Sequence, residues 1–250
     1  MKRYAAYLAY DGSKFYGWQI QVQSPTVQEC LEKALSAIVK EKITVVGAGR
    51  TDSGVHALCQ VAHFDFPVNM TTEQIMLALR SRLSPEIQVY KIKEVTPDFH
   101  ARYDAVERTY QYIITFDRTP FNYHYKTYFH RYKIDIESFR ACIPFFVGEH
   151  DFTSFAKPNP QVSNHVCNIL DFRIDTTEDD MIIEITANRF LHNMVRRIIG
   201  AMVSVSHKSL EPSIITKWIN AKKHEQKNYM TAPPNGLYLK NVRYGAEIEH

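Results

Sequence analysis

Nine consecutive residues, Gly49-Arg50-Thr51-Asp52-Ser53-Gly54-Val55-His56-Ala57, gather a guanidinium, a carboxylate and an imidazole around two glycines. A carboxylate in such a place can serve as nucleophile or base. A guanidinium beside it suits a phosphate or the face of a base. Glycine lets backbone approach a ligand closely. Two plainer readings compete. Asp52 is also a residue type that commonly caps a turn, and on local pattern the two roles stand level. Gly47-Ala48-Gly49 is half of a dinucleotide fingerprint, but the third glycine would fall at Asp52 and no crossover helix follows.

The elements around this segment set its position. Tyr4 to Tyr10 reads as a buried strand ended by Asp11-Gly12. A loop through residues 11–24 carries Phe15, Tyr16, Gly17 and Trp18. Thr26 with Glu29, and Val27, Leu31, Leu35 and Ile38 at helical spacing, predict a helix. Ile43 to Val46 and Cys59 to Phe66 read as the strands on either side of the Asp52 loop, where a scaffold presents reactive groups. Thr71 or Thr72 opens a second helix, and Ile87 to Val95 alternates as a strand. Residues 105–116 look like a long strand, and Asp135 caps a helix stopped by Gly148. His165 to Asp175 and Met181 to Ala187 pair across Glu178-Asp179-Asp180. Residues 190–206 form an apolar helix holding Arg196 and Arg197. A short helix spans Pro212 to Lys222, and a turn at 233–236 precedes a strand from Leu237 to Tyr244.

Strand, helix, strand, strand, helix, strand thus comes roughly twice. The expected fold class is α+β: two pseudo-duplicated lobes, largely antiparallel sheet flanked by helices, with a cleft between them. Residues 1–104 form a lobe carrying the Asp52 loop, and residues 105–250 a second one carrying Tyr110 and the arginine helix.

A chain of 250 residues with 45% hydrophobic residues can bury a sizeable core. Its formal charge of +3 falls short of the balance expected of a strongly basic nucleic-acid domain. The four cysteines form no CxxC pair, and no Cys/His cluster has zinc-ligand spacing. They read as reduced thiols. No apolar run approaches a membrane span, so the expected location is the cytoplasm.

Beyond the local pattern, Arg50-Thr51-Asp52-Ser53-Gly54-Val55-His56 resembles the signature of the TruA-type tRNA pseudouridine synthases. Ser53 stands where that family usually has Ala, a small-for-small change. The likeness runs along nearly the whole chain. It includes Tyr10-Asp11-Gly12-Ser13, Gly17-Trp18-Gln19, Asp98-Phe99-His100-Ala101-Arg102 and Arg108-Thr109-Tyr110-Gln111-Tyr112. It continues through Gly148-Glu149-His150-Asp151-Phe152, Asn188 to Arg196 and Ala232 to Leu239.

The resemblance implies an isomerase that converts uridine to pseudouridine in the anticodon stem-loop of tRNA, at positions 38 to 40. Asp52 matches the catalytic aspartate, which attacks either uracil C6 or the sugar C1′. Tyr110 matches a tyrosine that stacks on the base; Arg196 matches the arginine paired with the aspartate. Leu237 matches an apolar residue of the base pocket. Arg50 matches a residue that helps displace a base from its stack. Without that likeness, Tyr110 would read as a strand tyrosine, Arg196 as a snorkelling side chain and Leu237 as core. The reaction implied has no redox or phosphate-transfer step, so no metal and no cofactor is expected. The partners implied are tRNA and a second copy of the chain in a homodimer.

Lys14, Arg102, Arg108 and Arg197 are further candidates for backbone phosphates. The Tyr/His-rich stretch 121–132 reads as a variable surface or dimer contact. Two rival functions remain at this point: a binding-only RNA protein, and a hydrolase using Asp52 with His56.

Overall fold

The structure, a computed structural model, describes residues 1–22, 24–224 and 228–245. It divides into two compact units, Met1–Val106 with Tyr238–His250, and Glu107–Leu237.

In unit 1, β1 (Lys2–Tyr10) lies between β4 (Ile87–Val95) and β3 (His56–Phe66), antiparallel to both. The two-residue β2 (Val46–Gly47) adds antiparallel to β3. The return strand β9 (Leu237–Tyr244) pairs parallel with the start of β3, His56 opposite Tyr238. Tyr4, Leu8, Val61, Phe64 and Phe66 are buried on this sheet. Helix α1 (Val27–Val39) buries Val27, Leu31 and Leu35. Its first turn is closed by Thr26, whose hydroxyl accepts from the Glu29 amide at 3.4 Å. Helix α2 (Thr72–Arg80) begins with a full capping box between Thr71 and Gln74.

The strand expected over Ile43 to Val46 is shorter than its composition suggests. The Ile43 amide donates to Ser36 Oγ at 2.9 Å and the Val45 amide to Glu32 Oε1 at 2.9 Å. Side chains of α1 thus satisfy donors that a ladder would otherwise use, and pairing starts only at Val46.

In unit 2 the strand order is β5 (Ala105–Thr115), β8 (Asp180–Ala187), β7 (Val166–Thr176), β6 (Gly148–Asp151), each neighbouring pair antiparallel. The acidic turn between β7 and β8 lies where the sequence puts it. Helix α3 (Ile136–Cys142) starts at Asp135, whose carboxylate accepts from the Ser138 amide at 2.9 Å. Helix α4 (Met194–Lys208) buries eleven of its fifteen residues, and the short α5 (Ile214–Asn220) follows it. Helix α4 starts four residues later than the apolar run at 190, because Asn193 has a left-handed backbone, φ 64°. Both units are largely antiparallel sheet covered by helices, the expected α+β layout. Among the described residues no helix is long and apolar enough to cross a membrane.

Candidate active-site residues

Asp52 sits half-buried on the loop between β2 and β3, and the loop is fastened from several directions. On its entry side, the Ala48 amide donates to the Val61 carbonyl at 2.7 Å and Gln60 Nε2 to the Gly49 carbonyl at 3.0 Å. At its centre, the buried Thr51 hydroxyl meets Tyr10 Oη at 2.8 Å, and the Thr51 carbonyl accepts from the Trp18 amide at 3.1 Å. Burial pushes the Tyr10 phenol far above its ordinary pKa, so it stays protonated. On the exit side, the Val55 amide turns back to the Asp52 carbonyl at 3.1 Å. Gly54 occupies φ 78° there.

The segment 11–18 packs against this loop too closely for side chains. A Cβ on Gly12 would lie 2.0 Å from the Val55 carbonyl oxygen. One on Gly17, at φ 87°, would lie 2.6 Å from the Thr51 carbonyl oxygen. The carboxylate therefore stands on backbone that has little room to move, which is the condition for a positioned reactive group.

His56 is not available to serve as a base with Asp52. It is buried, its Nδ1 accepts from the Gly12 amide at 3.1 Å, and its ring stacks on Tyr238 with centroids 4.7 Å apart. Asp11 Oδ1 also lies 3.2 Å from Nδ1. Because the Gly12 N–H must be the donor, Nδ1 acts as an acceptor there and the Asp11 contact is not an ion pair.

Arg50 is exposed two residues before Asp52. Partial burial, then the charge of Arg102, hold its guanidinium below the usual pKa. Arg102 belongs to a tight turn in which His100 Nδ1 accepts from the Arg102 and Tyr103 amides, both at 3.2 Å. The His100 amide donates to Asp104 at 2.7 Å. The exposed Tyr103 ring stacks on His100 at 4.2 Å and carries the Arg102 guanidinium 5.9 Å from its centroid. Tyr103 escaped notice in the sequence. Its signal was an exposed aromatic directly after an arginine, which becomes legible only once the turn places it near Arg50.

The other three candidates lie in unit 2. Tyr110 is buried on β5 opposite Ile185, its ring edge-on to Phe190 at 5.1 Å. Arg196 is in the first turn of α4. Its Nε donates to the Ala232 carbonyl at 2.7 Å and its Nη1 to Asn193 Oδ1 at 3.1 Å. The Ala232 amide returns a bond to the Arg196 carbonyl at 3.0 Å. Leu237 is buried at the start of β9. The segment from Ala232 to Leu237 ties these positions together. Pro233 accepts from Tyr112 Oη at 3.0 Å, two residues along β5 from Tyr110. Asn235 Nδ2 donates to the Tyr123 and Lys126 carbonyls, both at 2.7 Å.

Among the candidate phosphate contacts, Arg197 has another task. Its Nη1 reaches the carbonyls of Ala156 at 2.6 Å, His224 at 2.9 Å and Ser154 at 3.3 Å. It knits loops to α4 instead of facing a ligand. Arg108 Nη1 donates to the Asn188 carbonyl at 3.0 Å.

Known proteins match this sequence. The profile of a family described as tRNA pseudouridine synthase matches residues 6–104 and 143–245. Bacteroides thetaiotaomicron tRNA pseudouridine synthase A is 40% identical, over 99% of this chain and 93% of its own length. The protein of that name from Limosilactobacillus reuteri is 38% identical over 100% of this chain and 99% of its own. Bacillus cereus tRNA pseudouridine synthase A 1 is 39% identical, over 98% and 99% respectively. With a family profile covering most of both units and full-length relatives near 40% identity, the chain belongs to the tRNA pseudouridine synthase family.

Proposed function

We propose that the chain isomerises uridine to pseudouridine in the anticodon stem-loop of tRNA, at positions 38 to 40, with Asp52 as nucleophile. The reaction class, an isomerase acting on tRNA uridine, follows from the family and from full-length relatives named tRNA pseudouridine synthase A. The observation that carries the Asp52 assignment is the fastening of its loop. A carboxylate that merely capped a turn would not need its neighbours held by Tyr10, Trp18, Gln60 and Val61.

In this reading the Asp52 carboxylate attacks, the C1′–N1 bond breaks and uracil rotates. The C1′–C5 bond then forms, the bond to Asp52 breaks to return its carboxylate, C5 gives up its proton and N1 gains one. Arg196 pairs with Asp52, keeping it ionised and oriented. Tyr110 stacks on the displaced base and Leu237 lines its pocket. Arg50 takes up the space or the phosphate left when the uridine leaves its stem. The enzyme works as a homodimer in the cytoplasm, one tRNA contacting both subunits.

The test is tritium release from tRNA labelled at uridine C5, with the product position mapped chemically, for wild type and Asp52→Asn. Release by wild type alone, mapped to positions 38 to 40, is expected. Release by Asp52→Asn near the wild-type rate would remove Asp52 from the role of nucleophile. Wild-type release mapped outside the stem-loop would overturn the site assignment.

A further inference from the structure

A column of three rings runs outward from the sheet of unit 1. Its base is His63 on β3, which is buried and accepts from the Ala101 amide through Nδ1 at 3.1 Å. His100 lies against His63 with centroids 4.9 Å apart, and Tyr103 stacks on His100 at 4.2 Å with the planes 27° apart. The middle ring is held by its own turn. Its Nδ1 accepts from the Arg102 and Tyr103 amides, both at 3.2 Å, and the His100 amide donates to Asp104 at 2.7 Å. The Ala101 carbonyl is held in turn by Tyr244 Oη at 2.7 Å. The outermost ring belongs to Tyr103, which is 75% exposed.

A single exposed aromatic is ordinary. This one differs in resting on a fixed support, so a ring in water has already lost part of the freedom that binding would otherwise cost. Its surroundings select the partner. The exposed Arg102 guanidinium lies 5.9 Å from the ring centroid, and the exposed Arg50 is within electrostatic range of both Arg102 and Tyr103. The base of the column also ties it to the Asp52 loop. His63 pairs with Val46 on β2, and the loop leaves β2 one residue later, at Gly47. An aromatic platform among cations suits a nucleobase with its phosphate.

We propose that Tyr103 is a base-stacking residue for the tRNA substrate, taking one unstacked base of the stem-loop on the exposed ring of the His63–His100–Tyr103 column. The inference rests on the tRNA reading above. It adds to the cations around the loop a contact that carries no charge.

The test is binding of tRNA carrying uridine at positions 38 to 40, across a salt series, by variants of Tyr103. Tyr103→Ala and Tyr103→Leu lower affinity about tenfold, within the worth of one base–aromatic stack, while Tyr103→Phe stays within about twofold of wild type. Leucine keeps an apolar cover over His100 but has no aromatic face, so its failure separates stacking from a structural role. The slope of log affinity against log salt is unchanged in the alanine and leucine variants, because no phosphate contact is lost. In Tyr103→Trp the new indole's emission shifts when tRNA binds, read as the difference from wild type, whose two tryptophans, Trp18 and Trp218, are buried. A leucine variant that binds as well as Tyr103→Phe would overturn the proposal, as would an indole that does not respond to bound tRNA. A salt slope lowered by about one in Tyr103→Ala would overturn it too, because Tyr103 would then act by holding Arg102. A changed oligomeric state of Tyr103→Ala on gel filtration would give the surface to a second copy of the chain instead. Wild type that binds the tRNA but releases no tritium would sink the proposed reaction alone, and is read before any variant.

Discussion

The Trp18 amide donates to the Thr51 carbonyl at 3.1 Å, one residue before Asp52. Through this bond a loop near the N-terminus sets the backbone of the candidate nucleophile. The neighbouring Gly17 is what permits the approach, since its φ is 87° and a Cβ would lie 2.6 Å from the same carbonyl oxygen.

Gly17→Ala is therefore expected to destabilise unit 1 by about 1 to 3 kcal/mol, from left-handed strain and the forced retreat of Thr51. Turnover falls more than stability accounts for, because Asp52 moves with Thr51. Denaturant unfolding alongside tritium release at a temperature where the variant is folded checks both. An alanine variant with normal kcat would mean that the Trp18–Thr51 contact does not set the carboxylate.

Arg196 and Arg197 are adjacent and chemically alike, yet their partners differ. Arg197→Ala strips a donor from three backbone carbonyls, and a loss of about 2 to 4 kcal/mol is expected. Thermal unfolding measures it. Arg196→Ala is expected to act chiefly on the rate, because Arg196 is proposed to pair with Asp52. Equal effects of the two substitutions on both quantities would contradict this division.

That division was not legible in the sequence, and the reason is physical. The partners of Arg197 come from residues 43, 41 and 27 positions away, so no local pattern announces them. The caps at Thr26, Thr71 and Asp135 were legible because their bonds close within three residues. Strand β1 was legible from an apolar run ended by a turn, β4 from its alternation and β9 from the turn before it. The strand expected at Ile43 failed because Glu32 and Ser36 on α1 supplied its hydrogen bonds, a tertiary effect that overrides β-branched composition. The Asp52 loop itself declared only its residue types. Its fastening to Tyr10 and Trp18 appears when β1 and β3 pair.

Stability should also fall in mild acid, through His63. Burial first, then the charges of His100 and Arg3, hold its imidazole down to about 4, against an ordinary value of 6.5. Its Nδ1 accepts from the Ala101 amide at 3.1 Å, which requires the unprotonated nitrogen. With the folded pKa depressed, the unfolded chain binds the proton first as pH drops. Stability is thus intact above pH 6.5 and declines between 6.5 and about 4. Denaturant unfolding across that window measures the slope, and His63→Gln should flatten it. An unchanged slope in the variant would assign the loss to other groups.

Arg50, Arg102 and Tyr103 make a cationic, partly aromatic surface two residues from Asp52. The charge of Arg102 adds to the burial that lowers the proton affinity of Arg50, and an anion bound near both is favoured. A tRNA backbone phosphate is such an anion. Arg50→Ala and Arg102→Ala should each weaken tRNA binding and lower the slope of log affinity against log salt by about one, as expected when one phosphate contact is lost. The Arg50 variant should also lower kcat, because Arg50 is proposed to act on the nucleotide as it leaves its stem, whereas the Arg102 variant should leave kcat at saturation near normal. Filter binding across a salt series, paired with single-turnover rates, separates these effects. A salt slope unchanged in both variants would mean that the pair meets no phosphate.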